Sequence, residues 1–217
     1  MGDYQQARQA MVDCQVRPSD VTRYAIIQAM LDVPREQFVP RPLRDVAYAE
    51  SEIALGGGRS MLSPRVFAKM LEAAQIGADD LVLDLAPGLG YSTAVLAQLA
   101  AAVVAVEPDE AMAKQASETL QRLEYDNVVV SAGDPALGDA DHAPFDVIFV
   151  GCGVEIVDAD LVNQLKVGGR MVAIHMNGAV GQCRVTVKSA STATARPIFD
   201  AAAPVLDGFE KKATFTF

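Results

Sequence analysis

The chain has 217 residues, 51% hydrophobic and 21% charged, the balance of a globular protein with a sizeable core rather than a disordered chain. Its formal net charge of −10 repels phosphate backbones and gives no attraction to an anionic bilayer, which argues against nucleic acid and membrane surfaces as partners. Three scattered cysteines, Cys14, Cys152 and Cys183, make neither a disulfide framework nor a zinc pair, so no metal is expected.

The N-terminus is polar and lacks the apolar stretch of a signal peptide, and no apolar run is long enough to span a bilayer. A cytoplasmic protein with reduced thiols is the expectation. Residues 3–32 are predicted helical, interrupted at Arg17-Pro18-Ser19. Ser19 or Asp20 is expected to cap the second helix, in which Val21, Ala25, Ile26, Ala29 and Met30 recur on one face. Pro34 stops it. Residues 34–58 hold three prolines and the run Gly56-Gly57-Gly58, and read as loop with short elements. Ser63-Pro64 then opens a helix that runs to about Gln75, with serine at the cap and proline in the first turn.

From Asp80 onwards strands alternate with helices. Strands are predicted at 81–86, 103–107, 127–132, 145–150 and 169–176, and helices at 91–101, 109–123 and 158–166. Short apolar strands alternating with helices predict a doubly wound, mainly parallel α/β sheet. Residues 181–189 and 211–217 read as two strands without a helix between them, an antiparallel pair closing one edge.

The first strand of this alternation runs into Asp84-Leu85-Ala86-Pro87-Gly88-Leu89-Gly90-Tyr91. Glycines at such a junction allow a tight turn and close approach of a ligand to the backbone. Glu107, followed by Pro108, ends the next strand about 20 residues on, where a carboxylate can accept hydrogen bonds from ribose hydroxyls. Either feature alone is also what an ordinary turn and a surface glutamate would show. Strand, turn, helix and acid in register favour a nucleotide-type ligand. A dinucleotide fingerprint would need a third glycine where Thr93 or Tyr91 stands, and no phosphate-binding G-x-x-x-x-G-K-[ST] loop occurs. The pattern resembles instead the first motif of S-adenosylmethionine-dependent methyltransferases and its acidic partner. Gly133-Asp134 resembles the position that contacts adenine in that class, although Asp134 before Pro135 also reads as a turn residue.

Read as a whole, the chain resembles the protein-L-isoaspartate O-methyltransferases. The resemblance is carried by Met11-Val12, Gln15-Val16-Arg17, Val33-Pro34-Arg35, Phe38-Val39-Pro40, the glycine loop, Pro144-Phe145-Asp146-Val147-Ile148 and Gln164 to Arg170, and it covers roughly residues 9–176. It implies a Rossmann-like methyltransferase fold with N-terminal helices packed on the sheet. One domain, 1–217, is expected, with a substrate-side region at 1–78 and a cofactor-binding core at 79–217. It further implies S-adenosylmethionine as cofactor and isoaspartyl-containing peptides or proteins as acceptors. Methylation there makes a better leaving group, so that the chain closes to a succinimide and can reopen to normal aspartate. The cofactor residues implied are Ser60, Met61, Asp84, Ala86, Pro87, Gly88, Gly90, Tyr91, Glu107, Pro108, Gly133 and Asp134.

The family carries a Gln-Thr-Ile-Ser-x-Pro-like segment whose serine is given the catalytic role. Here the segment reads Arg59-Ser60-Met61-Leu62-Ser63-Pro64, so Leu62 takes the serine place and Ser60 the threonine place. Ser60 is the better surviving hydroxyl for a catalytic role, since Ser63 reads as a helix cap. The departure keeps open a cofactor-binding relative with a different acceptor or no catalysis. Among other candidates, His142 reads as a loop histidine and His175 as a core or edge histidine near a strand end. Cys152, between two glycines, reads as close backbone packing more simply than as a reactive thiol. Arg35, Arg41 and Arg44 read as a solvated face that could steer an acidic substrate.

Overall fold

The computed structural model describes residues 3–211. Helix α1 (Tyr4–Met11) is capped by Asp3 and continues through a wider-wound turn, Val12–Val16, into a tight turn at Arg17–Ser19. Helix α2 (Tyr24–Asp32) begins later than the sequence suggested. Ser19 Oγ donates to Gln15 O, Asp20 turns the chain at a positive φ of 61°, and neither caps the helix. No side chain caps α2; instead Glu72, 50 residues away, holds the backbone just before it, its Oε2 accepting the amides of Thr22 and Arg23 at 3.1 and 3.2 Å.

The proline-rich stretch forms two tight helical turns, Arg35–Phe38 and Arg41–Val46, then a hairpin of β1 (Ile53–Gly56) and β2 (Arg59–Met61). Helix α3 (Pro64–Ala74) starts as expected, with Ser63 at the cap and Pro64 in the first turn.

Strands β3 (Leu81–Leu85), β4 (Ala102–Glu107), β5 (Val128–Ala132), β6 (Phe145–Val154) and β7 (Leu165–Asn177) lie parallel in the order β5-β4-β3-β6-β7. Helices α4 (Tyr91–Ala97), α5 (Glu110–Arg122) and α6 (Ala159–Asn163) connect them. Strand β8 (Val180–Lys188) pairs antiparallel with β7, and β9 (Ala193–Asp200) antiparallel with β8. An antiparallel edge is therefore present, and among the described residues β9 supplies its last strand. Of the expected strand at 211–217, Lys211 carries no regular structure and residues 212–217 lie outside the described residues.

Alternation within the buried strands divides the core. Val82, Val147, Phe149, Val172 and Ile174 face a layer that includes α1–α4. Leu83, Leu85, Ile148, Val150, Met171 and Ala173 face a smaller layer with Leu161 of α6 and Leu206 and Phe209. Among the described residues no helix is long and apolar enough to cross a membrane.

Candidate active site

The carboxyl ends of β3 and β4 and the residues following β5 converge on one cleft. Ala86 takes a positive φ of 60° directly after β3, and its amide donates to Val106 O at 2.8 Å, which aims the loop across β4. Glu107, the last residue of β4, is completely buried. Its Oε2 accepts the Gly88 amide at 2.7 Å and its Oε1 the Asp109 amide at 3.3 Å. Arg59 closes over the same carboxylate, with Nη1 at 2.6 Å from Oε1 and Nη2 at 3.2 Å from Oε2. The pairing is bidentate and charge-assisted.

Two cavities are lined in part by β2, which carries Arg59. One, of about 590 Å³, is lined by Gly58, Arg59, Pro108, Met112, Gly133 and Asp134 among others. The second, of about 30 Å³, is lined by Arg35, Ser60, Leu62, Ala86, Pro87 and Tyr91 among others, with Met61 and Phe149 also on its wall. The residues singled out in the sequence thus fall into two groups. Pro108, Gly133 and Asp134 line the larger cavity, and Ser60, Met61, Leu62, Ala86, Pro87 and Tyr91 the smaller. Glu107 is on the wall of neither and is paired with Arg59. Gly90, at φ 95°, faces helix α5, where an added Cβ would meet Ala116 Cβ at 3.1 Å. Ser60 Oγ donates to Glu52 Oε2 at 3.0 Å, and Leu62 is buried.

Asp84 sits under the loop and on the wall of neither cavity. Its Oδ2 accepts Ser92 Oγ at 2.7 Å and Thr93 Oγ1 at 2.8 Å, which pins the first turn of α4 to β3. Burial first, with the nearby Glu107 charge adding to it, pushes its carboxyl up to about 7 against the pull of the two hydroxyls. The sign follows from proton counting. Between about pH 4 and 7 the folded state holds a proton that the unfolded state has released, so this contribution is full below about pH 4 and lost as pH rises through 7. Over that window the stability of the wild type is expected to fall by about 1 kcal/mol per pH unit relative to Asp84→Asn. Urea denaturation of both proteins in stepped buffers measures it, and parallel profiles would contradict it.

Arg35 is a correction: it is not on a solvated face but completely buried. Its Nε donates to Ala47 O at 2.8 Å and its Nη2 to Leu62 O at 2.6 Å, while the guanidinium lies 4.6 Å from the centre of the Tyr91 ring. Burial pushes its pKa below the ordinary guanidinium value. Sequence reasoning also passed over Arg59 and Met112 as site residues. The hints of Arg59 were its place beside the triple glycine and its standing first in the Arg59–Pro64 segment, where the family has glutamine.

Cys152 is held in a packed backbone: the Gly153 amide donates to Pro204 O at 2.8 Å, and an added Cβ there would meet Ala203 O at 2.5 Å. Burial pushes its thiol up to about 12, so it is no activated nucleophile. His142 is exposed and paired with Asp139, and His175 lies half-buried on β7.

A mainly parallel sheet with a glycine loop after one strand, a buried acid ending the next and a cleft across both defines a Rossmann-like fold with a site for a nucleotide-type ligand. The comparisons with known proteins agree. The sequence matches the family described as Protein-L-isoaspartate(D-aspartate) O-methyltransferase over residues 6–195. It is 39% identical over 166 residues to the protein-L-isoaspartate O-methyltransferase of Pelotomaculum thermopropionicum, covering 76% of this chain and 72% of that protein. It is 41% identical over 170 residues to protein-L-isoaspartate O-methyltransferase 2 of Marinobacter nauticus, covering 78% of each. Among solved structures, a protein-L-isoaspartate O-methyltransferase superposes with a TM-score of 0.79 at 23% identity, over 94% of this chain and 66% of that one. A Plasmodium falciparum structure described as such an enzyme, in complex with S-adenosyl-L-homocysteine, superposes with a TM-score of 0.79 at 15% identity, over 95% and 99%. The chain belongs to the protein-L-isoaspartate O-methyltransferase family.

Proposed function

We propose that this protein is an S-adenosylmethionine-dependent O-methyltransferase that methylates isoaspartyl carboxylates in damaged proteins and so begins their repair. The observation that carries the reading is Glu107: a buried carboxylate at a strand end, held by the Gly88 and Asp109 amides, with a cavity large enough for a nucleoside beside it. The donor set suits S-adenosylmethionine. Glu107 would hold the ribose hydroxyls. Pro108, Met112, Gly133 and Asp134 would hold the adenine side, and Ala86, Pro87, Gly88 and Tyr91 the methionine side. When bound, the cofactor supplies an electrophilic methyl group on a sulfonium.

The acceptor carboxylate has an ordinary pKa of about 4, so it is ionised at neutral pH and needs no base from the chain. The residues contribute alignment and exclusion of water. Leu62, Phe67 and Phe149 form the apolar part of the small cavity's wall, beside Arg35 and Ser60, and that apolar part favours a step in which an anion and a cation become two neutral products. Residues 1–78 and the core from 79 onwards share one hydrophobic cluster, which supports reading the chain as one domain. A cytoplasmic setting belongs to the same reading.

Leu62, standing where the family has serine, favours a second reading, the same cofactor with a different acceptor. Labelled methyl transfer to an isoaspartyl peptide and its aspartyl twin separates the two. Wild type is expected to methylate the isoaspartyl peptide selectively. Leu62→Ser is expected to turn over about ten times faster, as one recovered hydrogen bond to the carboxylate allows. Turnover by Leu62→Ser alone would overturn the repair reading and leave the second standing.

A further inference from the structure

The hairpin of β1 and β2 lies across the glycine loop. A Cβ built on Gly88 would meet Leu55 Cδ1 at 2.5 Å, so Leu55 of β1 sits directly on the loop. Arg59, which opens β2, grips both oxygens of Glu107 and donates from Nη2 to Ala86 O at 2.8 Å. Its guanidinium therefore holds the carboxylate that the proposed cofactor's ribose would use. It also lines the void of about 590 Å³ on the Gly133–Asp134 side, and the next residue, Ser60, lines the void of about 30 Å³ on the Ala86–Tyr91 side.

The turn of the hairpin is made of glycines and faces open space. Gly56, Gly57 and Gly58 all lie at positive φ, at 100°, 57° and 75°, where side chains are disfavoured. A Cβ on any of them would have nothing within 4 Å, so nothing packs against the turn. Arg59 is also long enough to exchange its buried pairing for water across the larger cavity, whose wall it already forms.

From these contacts we infer that Arg59 is a latch that competes with the cofactor for Glu107, and thereby determines both the cofactor's affinity and the order of binding. Releasing it frees β2 to shift with Ser60 and Met61, two residues on the wall of the acceptor-side cavity, up to Leu62, whose carbonyl Arg35 holds. Cofactor binding thus precedes and shapes the acceptor site. The inference rests on the cofactor assignment of the proposed function, and the family's glutamine at this position would make no such ion pair.

The test is calorimetric titration of the full chain with S-adenosylhomocysteine, in wild type, Arg59→Gln and Arg59→Lys. Arg59→Gln is expected to bind about ten-fold more tightly, because a charge-assisted bidentate pair no longer has to be broken. Arg59→Lys, which keeps the charge but loses the two-pronged grip, is expected to fall between. Without ligand, Arg59→Gln is expected to melt at a lower temperature than wild type, and the ligand is expected to raise its melting temperature by more. Equal or weaker binding by both variants, with wild type binding, would overturn the latch alone. Binding by none of the three, with all three folded, would overturn the latch together with the cofactor assignment beneath it.

Discussion

Glu107→Ala is expected to destabilise the fold by about 3 kcal/mol and to abolish S-adenosylhomocysteine binding. Two separate causes give these two effects. Removing the carboxylate leaves the Arg59 guanidinium, whose side chain is only 12% exposed, without its counter-charge, and strands the Gly88 amide. Breaking a buried pair on one side costs about 3–5 kcal/mol. The lower end applies because Arg59 borders an open cavity and can turn towards solvent. Binding fails for the other reason, since no acceptor remains for the ribose hydroxyls. Glu107→Gln separates the causes: it keeps the shape and one acceptor, and is expected to retain most of the stability while losing at least about 100-fold in affinity. Guanidinium denaturation and calorimetry on both variants measure this. Undiminished binding by Glu107→Gln would show that the carboxylate does not hold the ligand.

Arg35→Met is expected to destabilise the fold by about 2–4 kcal/mol, which in a domain of this size lowers the melting temperature by about 5–15 °C. Methionine fills much of the same volume but donates nothing. The Ala47 and Leu62 carbonyls lose their donors, and each unsatisfied buried acceptor costs about 1–3 kcal/mol. Part of the loss is offset, because Arg35 is itself a buried charge held only by neutral carbonyls and an aromatic face. Since Arg35 fastens the Leu62 carbonyl just before α3, the variant is also expected to raise the acceptor KM more than it weakens cofactor binding. Arg35→Lys is not expected to restore either property, because a point charge cannot serve both carbonyls and the Tyr91 ring. Full stability in Arg35→Met would show that the guanidinium is merely tolerated.

Much of this was legible in the sequence, and the parts that were not share a cause. Strands β3, β4 and β6 are buried on both faces, so each reads as a continuous apolar run whatever surrounds it. Glu107 was legible because an acid ending such a run has a fixed place in the fold. What escaped was set by partners distant in sequence. The backbone that leads into α2 is held by Glu72, some 50 residues on, while the local candidates Ser19 and Asp20 only turn the chain before it. Arg59 meets Glu107 across 48 residues, and Arg35 meets Leu62 across 27. Nothing local marks Arg35 as buried or Arg59 as the partner of Glu107. Strand β9 escaped for a different reason: as an edge strand it is largely exposed and contains Pro197, which a central strand would reject. Helix α6 is shorter than its apolar pattern suggested, because β7 already begins at Leu165, where it pairs with Phe145.

The most direct test of the whole account is a repair assay. A peptide with one isoaspartyl residue is incubated with the protein and S-adenosylmethionine at neutral pH, and the isoaspartyl, succinimide and aspartyl forms are separated by chromatography over time. The account predicts that the isoaspartyl form declines while succinimide and then the normal aspartyl peptide accumulate, only with the cofactor present and not with Glu107→Gln. An isoaspartyl peptide that persists unchanged, with wild-type protein that is folded and binds S-adenosylhomocysteine, would contradict the repair function while leaving the cofactor site in place.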